Sequence, residues 1–305
     1  MTRPNAIPRS GWIWRVKSQI GKDNLSVVAA GVSFYTFLSI FPALAALVSI
    51  YALVTDPAKL QEHITSAQVL LPAEAAQLVN QQLQRIVQSR PAELGWSLLL
   101  GTLVALWSAA KGMSSLIAAL NVAYDEIETR SFLKLNALAL SLTLAGILFL
   151  IIFLFLIVGI PAVLNALDLG GPATALIIWV RWPLLAIGGI VALGVLYRYA
   201  PNRDTPNWRW ITGGAVIATV LWLVGSVLFS YYVANFSSYN AVYGSLGVVV
   251  ILMMWLLLSV YCILLGAKIN AAIEHQAKAD TTVVEPKPRG ERGAHVADRA
   301  ERKTG

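Results

Sequence analysis

The sequence predicts an all-α, polytopic membrane protein with six transmembrane helices, a small extracytoplasmic helical hairpin and a disordered C-terminal tail. Three observations predict it. Of 305 residues, 57 % are hydrophobic and 13 % charged, with a mean hydropathy of +0.66. Soluble chains are roughly one-quarter charged, so this one carries more apolar side chains than a single water-facing core can hide. Six long apolar segments recur along the chain, each meeting or approaching the ~20 residues that span a ~30 Å hydrocarbon layer. Lysine and arginine gather at alternate ends of those segments, as membrane topology demands.

The same composition excludes other classes. One cysteine, Cys262, supports neither a disulfide framework nor a multi-cysteine metal centre. The three histidines, His63, His275 and His295, are far apart in sequence, and no Gly-rich phosphate loop of the GxxxxGK[ST] type is present. The net charge of +7 does not form one basic face, so nucleic acid is not expected as a partner. No cofactor, no metal and no catalytic residue is expected.

Residues 1–26 read as a cytoplasmic segment. Within it, 11–22 place Trp12, Ile13, Val16 and Ile20 against Arg15, Lys17 and Lys22, the pattern of a short interfacial helix or of a charged lead-in. A transmembrane domain over 27–275 follows, with spans at roughly 27–54, 95–120, 135–164, 174–198, 211–236 and 247–272. Pro42 and Pro161 each remove a backbone donor and are expected kink points. Between the first two spans, about 55–94, apolar residues recur at helical spacing on either side of Pro72, predicting two amphipathic helices that cap the outer face. Residues 276–305 combine charge, proline and glycine without one aromatic residue, and are expected to be a disordered cytoplasmic tail.

Orientation follows from the cations. The N-terminal tail carries Arg3, Arg9, Arg15, Lys17 and Lys22; the next same-side connections carry Arg130 with Lys134, then Arg198, Arg203 and Arg209; the segment from Lys268 onward holds eight more. The alternate connections are poor in charge, which places both termini in the cytoplasm.

Charges at membrane depth are costly and tend to face a cavity or a partner. Arg181, between Trp179 and Trp182 in the fourth span, and Lys111, one turn after Trp107 in the second, are the candidate contacts for an anionic group; the alternative is that each snorkels to an interface beside its tryptophan. The uncharged connection FSSYNAVYGSLG (236–247) offers Tyr239, Asn240, Tyr243 and Ser245 as a second candidate lining, or else as anchors of an ordinary interfacial hairpin. Tyr35, with Ser33, Thr36 and Ser39, forms a polar strip in the first span, suited to a path or to hydrogen bonds between helices. Small residues at Ala29–Gly31, Gly188–Gly189, Gly213–Gly214 and Ala267 with Ala271 read as helix-packing positions.

The strings NLSVVAAGVSFYTFLSIFP (24–42), LWSAAKGMSSLIAALNVAYD (106–125), LYRYAPN (196–202) and FSSYNAVYGSLGVVVILMMWLLLSVYCILLGAKINA (236–271) resemble the YihY/virulence factor BrkB family over essentially residues 20–275. The resemblance implies a bacterial cytoplasmic (inner) membrane protein with six spanning helices. Members of that family have carried the label ribonuclease BN, widely regarded as a misassignment, and a link to virulence or serum resistance. Many relatives read GAE near the end of the last helix, where this chain has Gly266-Ala267-Lys268.

These readings predict a transporter-like protein that handles a lipid or amphipathic anion of the cell envelope without covalent chemistry, with membrane lipids as its partners. The alternative is a non-transporting scaffold for envelope-assembly partners. A nuclease would have to build on Asp125, Glu126 and Glu128, which have no histidine near them in sequence, and is not expected.

Overall fold

A computed structural model describes residues 21, 23–54, 91–160, 163–164, 172–235 and 246–276. Six helices fill them: α1 (Leu25–Val54), α2 (Pro91–Ala123), α3 (Phe132–Leu154), α4 (Pro172–Tyr199), α5 (Trp208–Asn235) and α6 (Leu246–Gln276). No strand forms among the described residues. Each helix matches one predicted span, with ends displaced by a few residues except at the end of α3, where the predicted span runs to 164 and the α-helix stops at Leu154 before a π turn. Five of them are long and apolar enough to cross a membrane; the corresponding apolar stretch of α1 is shorter, Leu25–Ile40, although the helix continues to Val54. The interfacial helix expected at 11–22, most of the cap at 55–94 and the tail beyond 276 lie outside the described residues.

Helix ends follow local chemistry. α2 and α4 open on Pro91 and Pro172, where a missing N–H costs nothing because first-turn donors have no helical acceptor. α3 continues into a π-helical turn, Phe155–Gly159. An irregularity was expected here from Pro161, which has no N–H to give to the carbonyl four residues earlier, Ile157. Pro42 and Pro183 are accommodated inside α1 and α4.

The described apolar side chains face outward to a degree no water-soluble fold shows. Along α3, Leu144, Leu148, Ile151 and Phe155 are each more than half exposed. Such a surface, on helices that bond most of their backbone groups within themselves, is what lipid requires.

The chain divides into two compact units. One comprises Met1–Ala29, Ile117–Val224 and Val260–Gly305, and holds the buried charged residues taken up below. The other comprises Ala30–Leu116 and Gly225–Ser259. In the first, α3 and its π turn lie against α4. There, too, α5 and α6 approach at Gly214 and Gly266: a Cβ on Gly214 would lie 2.5 Å from Asn270 Cγ, and one on Gly266 would lie 2.6 Å from the Gly214 carbonyl oxygen. Only glycine fits either position, as expected for a small-residue helix contact.

Candidate functional site

The polar chemistry of the first unit collects where four segments assigned by charge to one membrane side come together: the lead-in to α1, the α2–α3 connection, the α4–α5 connection and the C-terminal part of α6. α2 ends in a Schellman cap. The Glu126 N–H donates to the Asn121 carbonyl at 2.8 Å and the Asp125 N–H to that of Val122 at 3.2 Å, with Asp125 left-handed at φ 57°. Glycine is the usual occupant of that position, and a side chain there costs about 1–2 kcal/mol, less for Asp and Asn. Here the side chain has a use, because Asp125 Oδ1 accepts a hydrogen bond from Lys268 Nζ at 3.1 Å.

Lys268 has no exposure. Its Nζ also lies 2.7 Å from Asp23 Oδ2, a charge contact outside hydrogen-bond alignment. Asp23 precedes Asn24, the other left-handed non-glycine residue among the described ones at φ 47°, whose carbonyl accepts the Val27 and Val28 N–H groups that start α1. The two carboxylates keep 21 % and 38 % of their side-chain exposure while the ammonium keeps none. Water therefore reaches one side of the pair and not the other.

A second ion pair, Arg203 with Glu274, is closed off completely, at 0 % and 2 % exposure. The Arg203 guanidinium also covers the Tyr124 ring at 4.1 Å. Burial pushes the Tyr124 phenol up to about 12, against the opposing pull of Arg203 and the Asn270 hydrogen bond, so the ring stays neutral. Burial works against the charge of Arg203, but the charge and hydrogen bond of Glu274 oppose it, and the guanidinium is held above its ordinary value.

Neutral side chains complete the set. Asn270 accepts from the Gly214 N–H at 2.7 Å and donates to the Ile211 carbonyl at 3.0 Å and, at 3.4 Å, to the Tyr124 hydroxyl. Tyr197 donates to the Ile263 carbonyl at 2.7 Å. Asn121 accepts from the Asn202 N–H at 2.8 Å and donates to Glu128 at 2.9 Å. Glu128 receives two further bonds from the Arg130 guanidinium, and Arg130 in turn donates to the Ala200 carbonyl at 2.8 Å. Burial raises the Glu128 carboxyl, but the Arg130 and Asn121 bonds outweigh it and hold the group below its usual range.

The predicted membrane-depth cations take defined positions. Arg181 Nη1 donates to the Ile157 carbonyl at 3.1 Å, the acceptor that Pro161 cannot serve. Its guanidinium lies 5.3 Å from the Trp182 ring, and its buried Nε has no hydrogen-bond partner among the described residues. Trp179 and Trp182 themselves point outward. Lys111 Nζ lies 5.5 Å from the Trp107 ring. The two cations belong to different units.

The polar strip of α1 separates. Ser33 is buried and Tyr35 half exposed, while Thr36 and Ser39 turn their hydroxyls back to the Val32 and Thr36 carbonyls of their own helix at 2.8 and 2.7 Å. Tyr239, Asn240, Tyr243 and Ser245 lie outside the described residues. Of the three acidic residues a nuclease would build on, Asp125 is engaged by Lys268 and Glu128 by Arg130, with Glu126 beside them; among the described residues no three His, Cys, Asp or Glu side chains are grouped to hold a metal ion.

The reading from sequence alone missed the Lys268 and Arg203 pairs. It counted those residues as topological charge, although Asp23, Asp125 and Glu274 stand at span ends on the same predicted side. Opposite charges at ends that share a side were the available signal.

Comparison with known proteins agrees with the fold. The sequence matches the family described as Virulence factor BrkB over residues 16–291. It is 32 % identical over 254 residues to a Bacillus subtilis (strain 168) protein named putative ribonuclease-like protein YfkH, covering 82 % of this chain and 90 % of that one. Shorter stretches resemble UPF0761 membrane proteins, at 34 % identity over 96 residues in Idiomarina loihiensis (32 % of this chain, 34 % of the relative) and 39 % over 90 residues in Tolumonas auensis (30 % and 28 %). No solved structure matches. The apolar helices and a family match spanning most of the sequence lead to one conclusion: this chain is a multi-pass membrane protein that belongs to the Virulence factor BrkB family.

Proposed function

We propose that the protein moves a lipid or amphipathic anion across the bacterial cytoplasmic membrane, with its termini in the cytoplasm and Arg181 as the contact for the anionic group. The observation that carries this reading is the placement of Arg181. A guanidinium in an apolar helix is expensive, and this one is held to a π turn through Nη1 while its Nε–H finds no acceptor among the described residues. π turns occur disproportionately at functional positions, and an unsatisfied donor in a low-dielectric setting favours an incoming acceptor such as a phosphate. Trp179 and Trp182, turned outward on either side, suit the interface where a headgroup enters.

The name of the Bacillus relative raises ribonuclease chemistry for this chain as well. The engagement of Asp125 by Lys268 and of Glu128 by Arg130 argues against those carboxylates as free ligands for a catalytic metal.

Mass spectrometry of lipids that co-purify in mild detergent tests the reading. Wild type is expected to enrich one anionic species over its bulk proportion, and Arg181→Ala to lose that enrichment. Bulk proportions for both proteins would contradict an anionic contact at Arg181 and shift support to a scaffold.

A further inference from the structure

We infer that the first turn of α1 is a releasable latch: Asp23 is the moving half, and the Lys268–Asp125 pair is its fixed receptor. The latch stands independently of what the chain transports.

The two carboxylates on Lys268 are not equivalent. Asp125 accepts an aligned hydrogen bond, whereas Asp23 makes a close but unaligned charge contact. Asp125 is also anchored. It follows the fully buried Tyr124, sits inside the Schellman cap of α2, and belongs to a connection fastened to the α4–α5 connection by the Asn121–Asn202 and Arg130–Ala200 bonds. Through those bonds it is continuous with the tightly packed contact of α5 and α6 at Gly214 and Gly266. Among the described residues Asp23 has no comparable backing: it lies in the lead-in to α1, beside a left-handed Asn24.

This asymmetry sets the energetics of separation. Breaking an ordinary buried pair is strongly unfavourable because it strands a charge in a low dielectric. When Asp23 leaves, Lys268 keeps Asp125 as its counter-ion, so no buried charge is stranded. Asp23 keeps 21 % exposure against 38 % for Asp125, and its buried Oδ2, which makes no hydrogen bond here, regains water as it departs. The neighbouring Arg203–Glu274 pair balances its own charge without either group, although Arg203 Nε and Nη2 find no acceptor among the described residues. Opposing release is the apolar contact of Leu25 and Ala29, both without exposure, so the closed latch is the resting state. The device is therefore a helix end that swings while the charges beneath it stay paired.

Hydrogen–deuterium exchange on the full chain in lipid nanodiscs tests this without any substrate. Asp23→Asn is expected to speed exchange at residues 27–32 on the order of tenfold, while 197–203 and 263–274 stay within about twofold of wild type. Asp23→Glu, which keeps the charge, is expected to retain protection. Asp125→Asn tolerates the left-handed backbone but removes the fixed counter-ion, and is expected to loosen both regions. For wild type alone, raising salt from about 0.05 to about 0.5 M is expected to speed exchange at 27–32 selectively, because Asp23, which is partly exposed, is screened more than the fully closed Arg203–Glu274 pair. Unchanged exchange at 27–32 in Asp23→Asn and in high salt would overturn the latch. Equal loosening of 27–32 and 263–274 by Asp23→Asn would overturn it too, by showing one cooperative block.

Discussion

The side-chain oxygen of Asn121, near the end of α2, accepts a hydrogen bond from the backbone N–H of Asn202 in the α4–α5 connection, 81 residues later, at 2.8 Å. The same side chain donates to Glu128, so one buried amide joins two connections. Asn121→Ala leaves the Asn202 N–H without that acceptor and is expected to cost about 1–3 kcal/mol. Asn121→Asp keeps the acceptor but places a second carboxylate on Glu128, and is expected to be no better. Thermal unfolding in detergent, followed by intrinsic fluorescence, measures both.

Asp125 separates backbone from charge. Asp125→Gly relieves the left-handed backbone and preserves the cap of α2 while deleting the Lys268 contact; Asp125→Ala deletes the contact and keeps the strain. Alanine is therefore expected to lie about 1 kcal/mol below glycine in stability, and both below wild type. Equal stabilities for the two variants would show that the φ of 57° carries no cost.

The Lys268 cluster is expected to respond asymmetrically to charge removal. Lys268→Met leaves two partly exposed carboxylates that water can solvate. The double variant Asp23→Asn with Asp125→Asn instead leaves an ammonium of no exposure without a counter-charge, expected to cost about 3–5 kcal/mol. The double variant should melt well below Lys268→Met. The opposite order would place the lysine in water.

Glu128 supplies the pH dependence. Its folded carboxyl is held low, so its contribution to stability is present above the ordinary carboxylate value near ~4.3 and is lost as pH falls through the folded value. Because water reaches this pair, the contribution is at most about 1 kcal/mol. The stability gap between wild type and Glu128→Gln is expected to be full at pH 7 and to close as pH falls through the folded value.

Much of the fold was legible in the sequence, because a spanning helix writes itself as a long apolar run; the six predicted segments and the six described helices differ by a few residues at their ends, apart from the end of α3, which gives way to a π turn ten residues before the predicted boundary. Gly214 was readable as a packing position for the same reason. What the sequence did not display is partnership across great separations. Nothing local to Lys268 distinguishes a topological cation from one fastened to Asp125, 143 residues earlier. The hydrogen bond of Arg181 to Ile157 was similarly hidden, although Pro161 foretold a carbonyl in want of a donor.

The central claim is movement of an anionic amphipath past Arg181. Proteoliposomes containing NBD-labelled phosphatidylglycerol, with dithionite added outside to bleach the outer leaflet, measure that movement directly. Wild-type protein is expected to expose the inner-leaflet label to bleaching, and Arg181→Leu, reconstituted to the same density, to slow this by at least about tenfold. Bleaching that stops at the outer leaflet for wild type, or proceeds equally in both proteins, would contradict the claim.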